Sequence, residues 1–201
     1  MKKIVLLALA ASTAAVATPA AAQVTGSVQV TGNVSPRCSV VPAGTSDSTF
    51  TRTIPLGSLD EADGTLKAGL ESSSSLTPAG SVVSTRVVCN SASATISVGA
   101  GTLSTTATAD GTDYSNDINY TAELEVNTTA GLRYANYNTL TPNAANHTKT
   151  VGRLAAGSAN NVKVRAYALA AEGGVNSLLV AGDYTSTISV SISPVAAVVT
   201  P

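Results

Sequence analysis

Few side chains in this chain of 201 residues have the type and spacing that covalent or metal chemistry requires. The two cysteines, Cys38 and Cys89, could form a disulfide, react, or bind a metal together with other ligands. The single histidine, His147, lies in the polar sequence Ala-Asn-His-Thr, with no cysteine or acidic residue close to it. We expect an exposed loop histidine there rather than a catalytic base.

Glu123 and Glu125 are the acidic pair whose arrangement comes closest to paired catalytic carboxylates. They lie two residues apart in a segment that alternates apolar and polar residues, so both side chains would point to one face of a strand. The apolar residues of the segment would take the buried face. We therefore expect the two glutamates to form an exposed, solubilising surface.

A second polar group, Asp110, Asp113, Asn116 and Asp117, offers oxygen ligands of the kind that calcium prefers. Its spacing matches no EF-hand loop, and the turn chemistry of aspartate and glycine accounts for the same residues. Calcium binding between Asp110 and Asp117 stays open as an alternative. The sequence also lacks a Gly-x-Ser-x-Gly motif. It predicts a protein that is not an enzyme and that carries no metal and no cofactor.

Residues 1–22 have the three regions of a signal peptide. Lys2 and Lys3 give the positive start, Ile4–Ala11 give an apolar run, and Ala20–Ala22 give small residues at a cleavage site. The apolar run is too short for a stable membrane span, and no later stretch is long enough to be one. We expect an exported chain with no transmembrane segment after cleavage.

Composition narrows the function of the exported chain. The full sequence has 11 basic and 12 acidic residues, and cleavage would remove Lys2 and Lys3, so the exported chain has no basic excess and nucleic acid is not an expected partner. Aromatic residues make up 3% of the chain and tryptophan is absent, so an aromatic carbohydrate platform is not expected either. In an oxidising compartment, Cys38 and Cys89 most simply form one disulfide.

The elements that would position these residues are short strands separated by polar, glycine-rich connections. Residues 60–78 are rich in turn formers and predict a surface loop, and polar residues dominate 127–150. No segment after the signal peptide has a convincing helical period. The pattern favours an antiparallel sandwich of the immunoglobulin-like class. The clearest predicted strands are Ser81–Cys89, Ala94–Val98, Ile118–Val126, Val162–Leu169 and Tyr184–Ser193.

The most regular pattern comes directly after the signal peptide, in residues 24–35. Every even position is Val or Gly and every odd position is a small polar residue, which predicts a strand with one apolar face. A strand of that length would reach roughly 40 Å, far more than a typical strand. A long strand placed before the body of a domain suits a subunit that reaches into a neighbour.

The N-terminal segment, read together with Cys38-Ser39-Val40, resembles the extension of chaperone–usher pilin subunits. The resemblance is best to the archaic branch, which shares the spore coat protein U domain. Ala181-Gly182-Asp183-Tyr184 and the alternating residues after it look like that family's last strand. The placement of Cys38 and Cys89 is similar to the family disulfide, and Ile54–Gly57 resembles the short apolar segment between its cysteines.

The resemblance implies an immunoglobulin-like sandwich that lacks its last strand and therefore has an apolar groove. A periplasmic pilus chaperone would fill the groove first. The N-terminal donor strand of another pilin subunit would replace it at an outer-membrane usher, and the fibre would lie at the cell surface. The donor residues entering the groove would be Val24, Gly26, Val28, Val30, Gly32 and Val34. The acceptor-groove edge would carry Tyr184, Ile188, Val190 and Ile192.

These expectations divide the chain into a signal peptide (1–22), a donor extension (23–37), a sandwich domain (38–194) and a tail (195–201). The tail holds three valines and offers an alternative, because it could fold back and complete the sheet itself. Pro194 weakens that alternative by removing a backbone hydrogen-bond donor. The competing function is a self-contained secreted sandwich that binds a ligand or surface and does not polymerise.

Overall fold

The computed structural model describes residues 26–41, 48–71, 82–142, 144–157 and 159–196. The chain divides into a unit that ends at Val34 and a second unit that begins at Ser35. The predicted signal peptide and residues 197–201 of the tail lie outside the described residues. Of the first unit, residues 26–34 are described, and they form no strand of their own.

Among the described residues, the regular elements of the second unit are almost all β-strands. Its abundant valine, threonine and isoleucine favour extended chain. The elements in chain order are β1 (Cys38–Val40), α1 (Ala68–Glu71), β2 (Val82–Thr85), β3 (Val87–Cys89), β4 (Ser93–Ala100), β5 (Leu103–Ser104), β6 (Tyr114–Ser115), β7 (Asp117–Thr128), β8 (Gly131–Asn138), α2 (Ala144–His147), β9 (Thr148–Gly152), β10 (Val162–Ala171), β11 (Leu178–Leu179) and β12 (Ile188–Pro194).

Two antiparallel sheets carry the core. One has the strand order β2-β10-β7-β5, with β8 also paired to β7, and the other has the order β12-β4-β9. Two small pairs accompany them, β1 with β3 and the parallel pair β6 with β11. The expectation of an all-β fold built from antiparallel sheets is confirmed.

The core lies between the inner faces of the two sheets, and the period of two along each strand produces it. The predicted apolar face of β7 is buried, with every residue at most 4% exposed. One hydrophobic cluster joins residues of both sheets. Its strand members include Ala94, Ile96 and Val98 of β4, Ile118, Tyr120, Ala122, Leu124 and Val126 of β7, and Val162, Val164 and Ala166 of β10.

The prediction that Glu123 and Glu125 form an exposed surface is wrong. The side chain of Glu125 is 13% exposed, and that of Glu123 is 6% exposed. β7 pairs with β10 on one side and with β8 on the other, and both neighbours cover Glu123. Arg165 Nε donates to Glu123 Oε1 at 2.6 Å, and its guanidinium forms an ion pair with the same carboxylate. With its amide nitrogen turned toward the carboxylate, Asn136 donates to Glu123 Oε2 at 3.0 Å. Glu123 is therefore a paired structural group.

β10 departs from its predicted alternation at Ala168. Its register with β7 shifts between Tyr167 and Ala170, and Ala168 has a φ of 52°. An extra residue in one strand of a pair reverses which side chains point inward beyond it. Leu169, 2% exposed, therefore enters the core where the sequence pattern predicted Ala168.

Two segments predicted as polar connections contain more structure than expected. Within 60–78, Leu66 and Leu70 are each 5% exposed and belong to the core, so the segment is not simply a surface loop. Within 127–150, β8 pairs with β7 along its whole length and β9 pairs with β4. Their polar residues fit strands because one face of each sheet is not part of the core.

Cys38 and Cys89 form the predicted disulfide and lie directly opposite each other in the β1–β3 pair. Asn90, the next residue, fixes the start of the second unit. Its side-chain oxygen accepts from Arg37 N at 2.7 Å, its amide nitrogen donates to Ser35 O at 2.9 Å, and its backbone N–H donates to Arg37 O at 3.1 Å. The chain therefore leaves this unit at a defined point.

Candidate functional site

A groove with a volume of about 1210 Å³ runs along β12 in the second unit. Its floor is the hydrophobic core itself, where Leu103, Tyr120, Val164 and Ala166 face it. One wall is β12, and the other is the irregular segment Ser48–Asp60. The groove thus exposes core residues between two lengths of chain.

The β12 wall has the alternation that the sequence predicts. Ile188, Val190 and Ile192 are half-buried and line the groove, whereas Ser189, Ser191 and Ser193 are exposed. Among the described residues, β12 pairs with β4 alone, in the register Ile188↔Ala100 to Pro194↔Ala94. An edge strand directs alternate N–H and C=O groups away from its partner. On β12 those groups point to the groove side.

The opposite wall contains Thr51–Leu59, whose apolar residues Ile54 and Leu56 predict an extended segment, and it forms no strand. Phe50, Ile54 and Leu56 are half-buried and line the groove. Within the described part of the chain, residues 49–57 make no backbone-to-backbone hydrogen bond. The backbone groups of residues 49–57 therefore have no backbone partner among the residues that the structure describes.

Tyr184 lies at one end of the groove, in the turn before β12 rather than in a strand. The predicted strand Tyr184–Ser193 begins only at Ile188 in the structure. The Tyr184 hydroxyl donates to Ser115 O at 3.1 Å and to Val180 O at 3.0 Å, and these bonds fix Tyr184 in the turn. Burial raises the pKa of Tyr184 above its ordinary value of 10.0. Gly182 in this turn has no room for a side chain, since a Cβ would lie 2.4 Å from Thr105 Oγ1.

Tyr120 places a polar group in the apolar floor. Its hydroxyl and the Ser186 hydroxyl are 2.9 Å apart, and Ser186 Oγ donates to Gly101 O at 2.6 Å. Burial raises the pKa of Tyr120 above 10.0, although the hydrogen bond to Ser186 opposes the shift. The hydroxyl stays neutral and hydrogen-bonded at physiological pH.

The predicted donor residues that the structure describes are almost fully exposed. Val28 and Val30 are each 91% exposed and Val34 is 78% exposed. Gly26 and Gly32 are exposed as well, and Val24 lies outside the described residues. Large apolar side chains exposed in a row at a spacing of two form an unburied apolar edge.

The remaining candidates for chemistry are accounted for by local structure. Asp110 Oδ1 accepts backbone N–H bonds from Thr112, Asp113 and Tyr114 at 2.9–3.0 Å, which holds the pKa of its carboxyl below the ordinary 3.8. His147 is the last residue of α2 and half-buried, not in an exposed loop, and its ring meets Tyr137 edge-on at 6.1 Å. Within the described ranges, no three His, Cys, Asp or Glu residues are grouped as metal ligands.

The sequence did not predict that Phe50 lines the groove, although it pointed to Ile54–Gly57 in the same wall. Phe50, the only phenylalanine of the chain, was not among the predicted site residues. The signal that points to Phe50 is its even spacing from Ile54 and Leu56, which would place all three apolar side chains on one face of an extended chain. Arg52 is the one polar residue on that face. Lys67 Nζ, 3.3 Å from Ser58 O, and the backbone bond from Lys67 N to Leu59 O at 2.8 Å hold the far end of this wall.

Among the residues that the structure covers, no helix has the length and apolarity of a membrane span. Comparisons with protein-family models, with curated proteins and with solved structures found no match to the chain.

Proposed function

We propose that this chain is a structural subunit of a chaperone–usher type surface fibre whose copies join by donor-strand complementation. The donor is the exported chain's N-terminal segment, residues 24–34, and the acceptor is the groove beside β12 in another copy. Before assembly, a periplasmic chaperone covers the same groove, and an outer-membrane usher is the place of exchange. The observation that carries this proposal is the groove lined by β12 and residues 49–57. Among the described residues, β12 pairs with β4 alone and residues 49–57 have no backbone partner.

Strand order supports an immunoglobulin-like sandwich that lacks one strand. In the constant-type immunoglobulin fold one sheet has the order A-B-E-D and the other C-F-G. Here β2, β10 and β7 are neighbours in the order expected for B, E and D, and β4 and β12 are neighbours as expected for C and F. The groove lies on the free side of β12, where strand G would be.

The chemistry of both surfaces supports strand addition. An inserted strand gains backbone hydrogen bonds from the groove edges and places alternate side chains into the core. Val28, Val30 and Val34 are exposed apolar side chains at even positions, two and four residues apart, so they share one face of an extended strand. Fully burying one valine contributes roughly 1.5 kcal/mol or more. The polar residues between them, Ser27, Gln29, Thr31 and Asn33, would face solvent.

The C-terminal tail supports the same proposal as far as it is described. Val195 N–H donates to Ser93 O at 3.0 Å, so the chain continues beside β4 past Pro194. At this point it has not turned toward the groove side of β12. A tail that sealed its own groove would have to reverse after Ala196.

Two complementary variants test the proposal in the mature full-length chain. Val30→Asp introduces a charge into the donor face and leaves the groove intact. Val190→Asp introduces a charge into the groove wall and leaves the donor face intact. Neither variant alone should polymerise, because an unpaired charge in an apolar site is strongly unfavourable. A mixture should form one-to-one heterodimers, which sedimentation velocity resolves.

The matched control is Val175→Asp, a charge at a valine that is 75% exposed and far in sequence from both surfaces. It should polymerise like the unmodified chain. If either variant fails to fold alone, excess donor peptide 24–34 gives a second measurement. The peptide should rescue the folding of Val30→Asp, whose groove is intact, and should not rescue Val190→Asp. Heterodimers that are absent while both variants are folded, or unmodified chains that stay monomeric at high concentration, would contradict the proposal.

A further inference from the structure

The donor segment has nearly the same sequence in both directions. Gln29 is the central residue, and the residues on either side of it form mirror pairs. From the centre outward, the pairs are Val28/Val30, Ser27/Thr31, Gly26/Gly32, Thr25/Asn33 and Val24/Val34. Each pair is identical or similar in size and polarity. Because side chains alternate between faces, the even-numbered residues present Val-Gly-Val-Val-Gly-Val whichever end is taken first.

The β12 wall of the groove has the same kind of symmetry. It reads Ile188-Ser189-Val190-Ser191-Ile192, which is unchanged on reversal about Val190. The isoleucines and the valine are half-buried in the groove wall, and the serines are exposed. Neither the inserted face nor this wall has a side-chain order that distinguishes the two strand directions.

We propose that the groove accepts the 24–34 segment in both strand directions. This inference rests on the proposed function and adds a specificity rule to it. A strand can pair with β12 either parallel or antiparallel, and the parallel ladder is only slightly weaker per residue. Reversal keeps the four valines and two glycines at the same inward positions, so the packing of the groove is preserved.

The direction used between whole chains is then determined by residues outside the symmetric segment. One determinant is the anchor on Asn90, which holds Ser35 and Arg37 through three hydrogen bonds and so fixes where the donor leaves its own domain. The other is the wall with Phe50, Ile54 and Leu56, whose side-chain order is not symmetric. A free donor peptide is not attached to the Asn90 anchor, so it can enter the groove in either direction.

Disulfide trapping with peptides tests the proposal. The mature full-length chain carrying Ser189→Cys, Ser191→Cys or Ser193→Cys is refolded with excess 24–34 peptide that carries Thr25→Cys or Asn33→Cys. These exposed positions lie on the outward face, where paired Cβ atoms on neighbouring strands come within disulfide range. Thr25 and Asn33 are mirror positions, so one groove cysteine should trap both peptides, with yields within about threefold because the two ladders differ little.

A control peptide of the same composition, with Gly26 and Val28 exchanged, removes the symmetry of the inward face. It should be trapped mainly through one of the two mirror positions. A slip of register does not imitate the result, because eight residues separate Thr25 from Asn33 and such a slip would withdraw most of the peptide from the groove.

Three outcomes overturn the inference. If the unmodified peptide binds and one groove cysteine traps only one mirror position, direction is fixed by the Phe50–Leu56 wall and the two-way fit is wrong, while the proposed function stands. Equal trapping of the control peptide would show that the side-chain pattern has no role. If neither the unmodified peptide nor any cysteine peptide binds, the proposed function fails together with the inference.

Discussion

At the scale of single residues, the buried ion pair between Glu123 and Arg165 is the main polar group that the sequence misplaced. The side chain of Glu123 is 6% exposed and that of Arg165 is 21% exposed. A charge in such a site is tolerated because its partner and further hydrogen bonds replace water. Arg165 also lies 5.4 Å from the centre of the Tyr167 ring, which covers it further.

Removing one partner of this pair should be costly. We predict that Glu123→Ala lowers the free energy of unfolding by about 3 kcal/mol, because Arg165 is left as an unpaired charge in a largely buried site. Urea unfolding of the chain in the presence of donor peptide measures the change. Glu125→Ala is the control, since Lys163 is half-exposed and its 3.0 Å ion pair should contribute less than about 1 kcal/mol. Equal effects of the two changes would contradict the assignment.

Tyr120 gives the fold a dependence on alkaline pH. Its pKa is raised by burial, so the folded state holds the phenolic proton more tightly than the unfolded state does. The resulting stability is fully present below the ordinary pKa of 10.0 and is lost as pH rises through the folded pKa. Tyr120→Phe should therefore reduce the loss of stability above pH 10.0. Thermal unfolding from pH 8 to 11 measures it.

Tyr167 and Tyr184 also have raised pKa values, chiefly through burial, and should leave part of the alkaline loss in the Tyr120→Phe variant. Tyr114→Phe is the control, because Tyr114 is 45% exposed. Identical pH profiles for the Tyr120→Phe and unmodified chains would show that the hydroxyl in the groove floor is not sheltered.

At the scale of elements, the sequence predicts strands well where one face of a strand is in the core. β4, β7 and β12 alternate clearly, and the structure has a strand in each predicted place. β8 was missed because only Ala135 is buried among its eight residues, so it lacks the apolar half of the pattern. The bulge in β10 could not be predicted either, because it depends on a register with β7 that no local sequence fixes.

Part of the candidate site could be predicted from the sequence, and part of it could not. Val190 and its neighbours follow from alternation, and the disulfide follows from cysteine number and compartment. The wall at 48–60 could not be predicted as a wall, because residues 49–57 have no backbone partner among the described residues and their role depends on what lies across the groove. Long-range placement of this kind is a tertiary property, which propensity does not contain.

The disulfide should matter more for this wall than for any strand. Cys38 and Cys89 are 51 residues apart, and the wall lies inside the loop that they close. We predict that the Cys38→Ser/Cys89→Ser double variant loses about 4 kcal/mol of stability. Donor peptide should bind it more weakly than it binds the unmodified chain, because Phe50, Ile54 and Leu56 are held less closely.

Calorimetric titration of the donor peptide against both proteins, at a temperature where each is folded, separates the two effects. A variant that is less stable and yet binds the peptide with unchanged affinity would show that the wall is positioned without the disulfide. Serine is chosen because it removes the covalent bond with little change in side-chain size.

At the scale of the whole molecule, the account depends on an apolar donor segment and an apolar groove that are both present in one chain. A heterologous contact of this kind joins copies in an open series, because each copy offers both surfaces. An exposed edge strand beside an apolar groove is otherwise a site of uncontrolled association. A dedicated partner that covers the groove before assembly is consistent with that risk.

Cross-linking of isotopically mixed chains tests the central claim most directly. Unlabelled and ¹⁵N-labelled mature chains that carry a photoreactive residue in place of Ser191 are assembled together, irradiated and digested, and mass spectrometry identifies the joined peptides. A photoreactive residue is needed because residues 24–34, 48–60 and 188–194 contain no lysine or cysteine for a conventional reagent. The account predicts links between residues 24–34 and β12, with labelled and unlabelled chains joined as often as chance allows. Links that join these segments only within one chain, or links that place residues 197–201 in the groove, would contradict it.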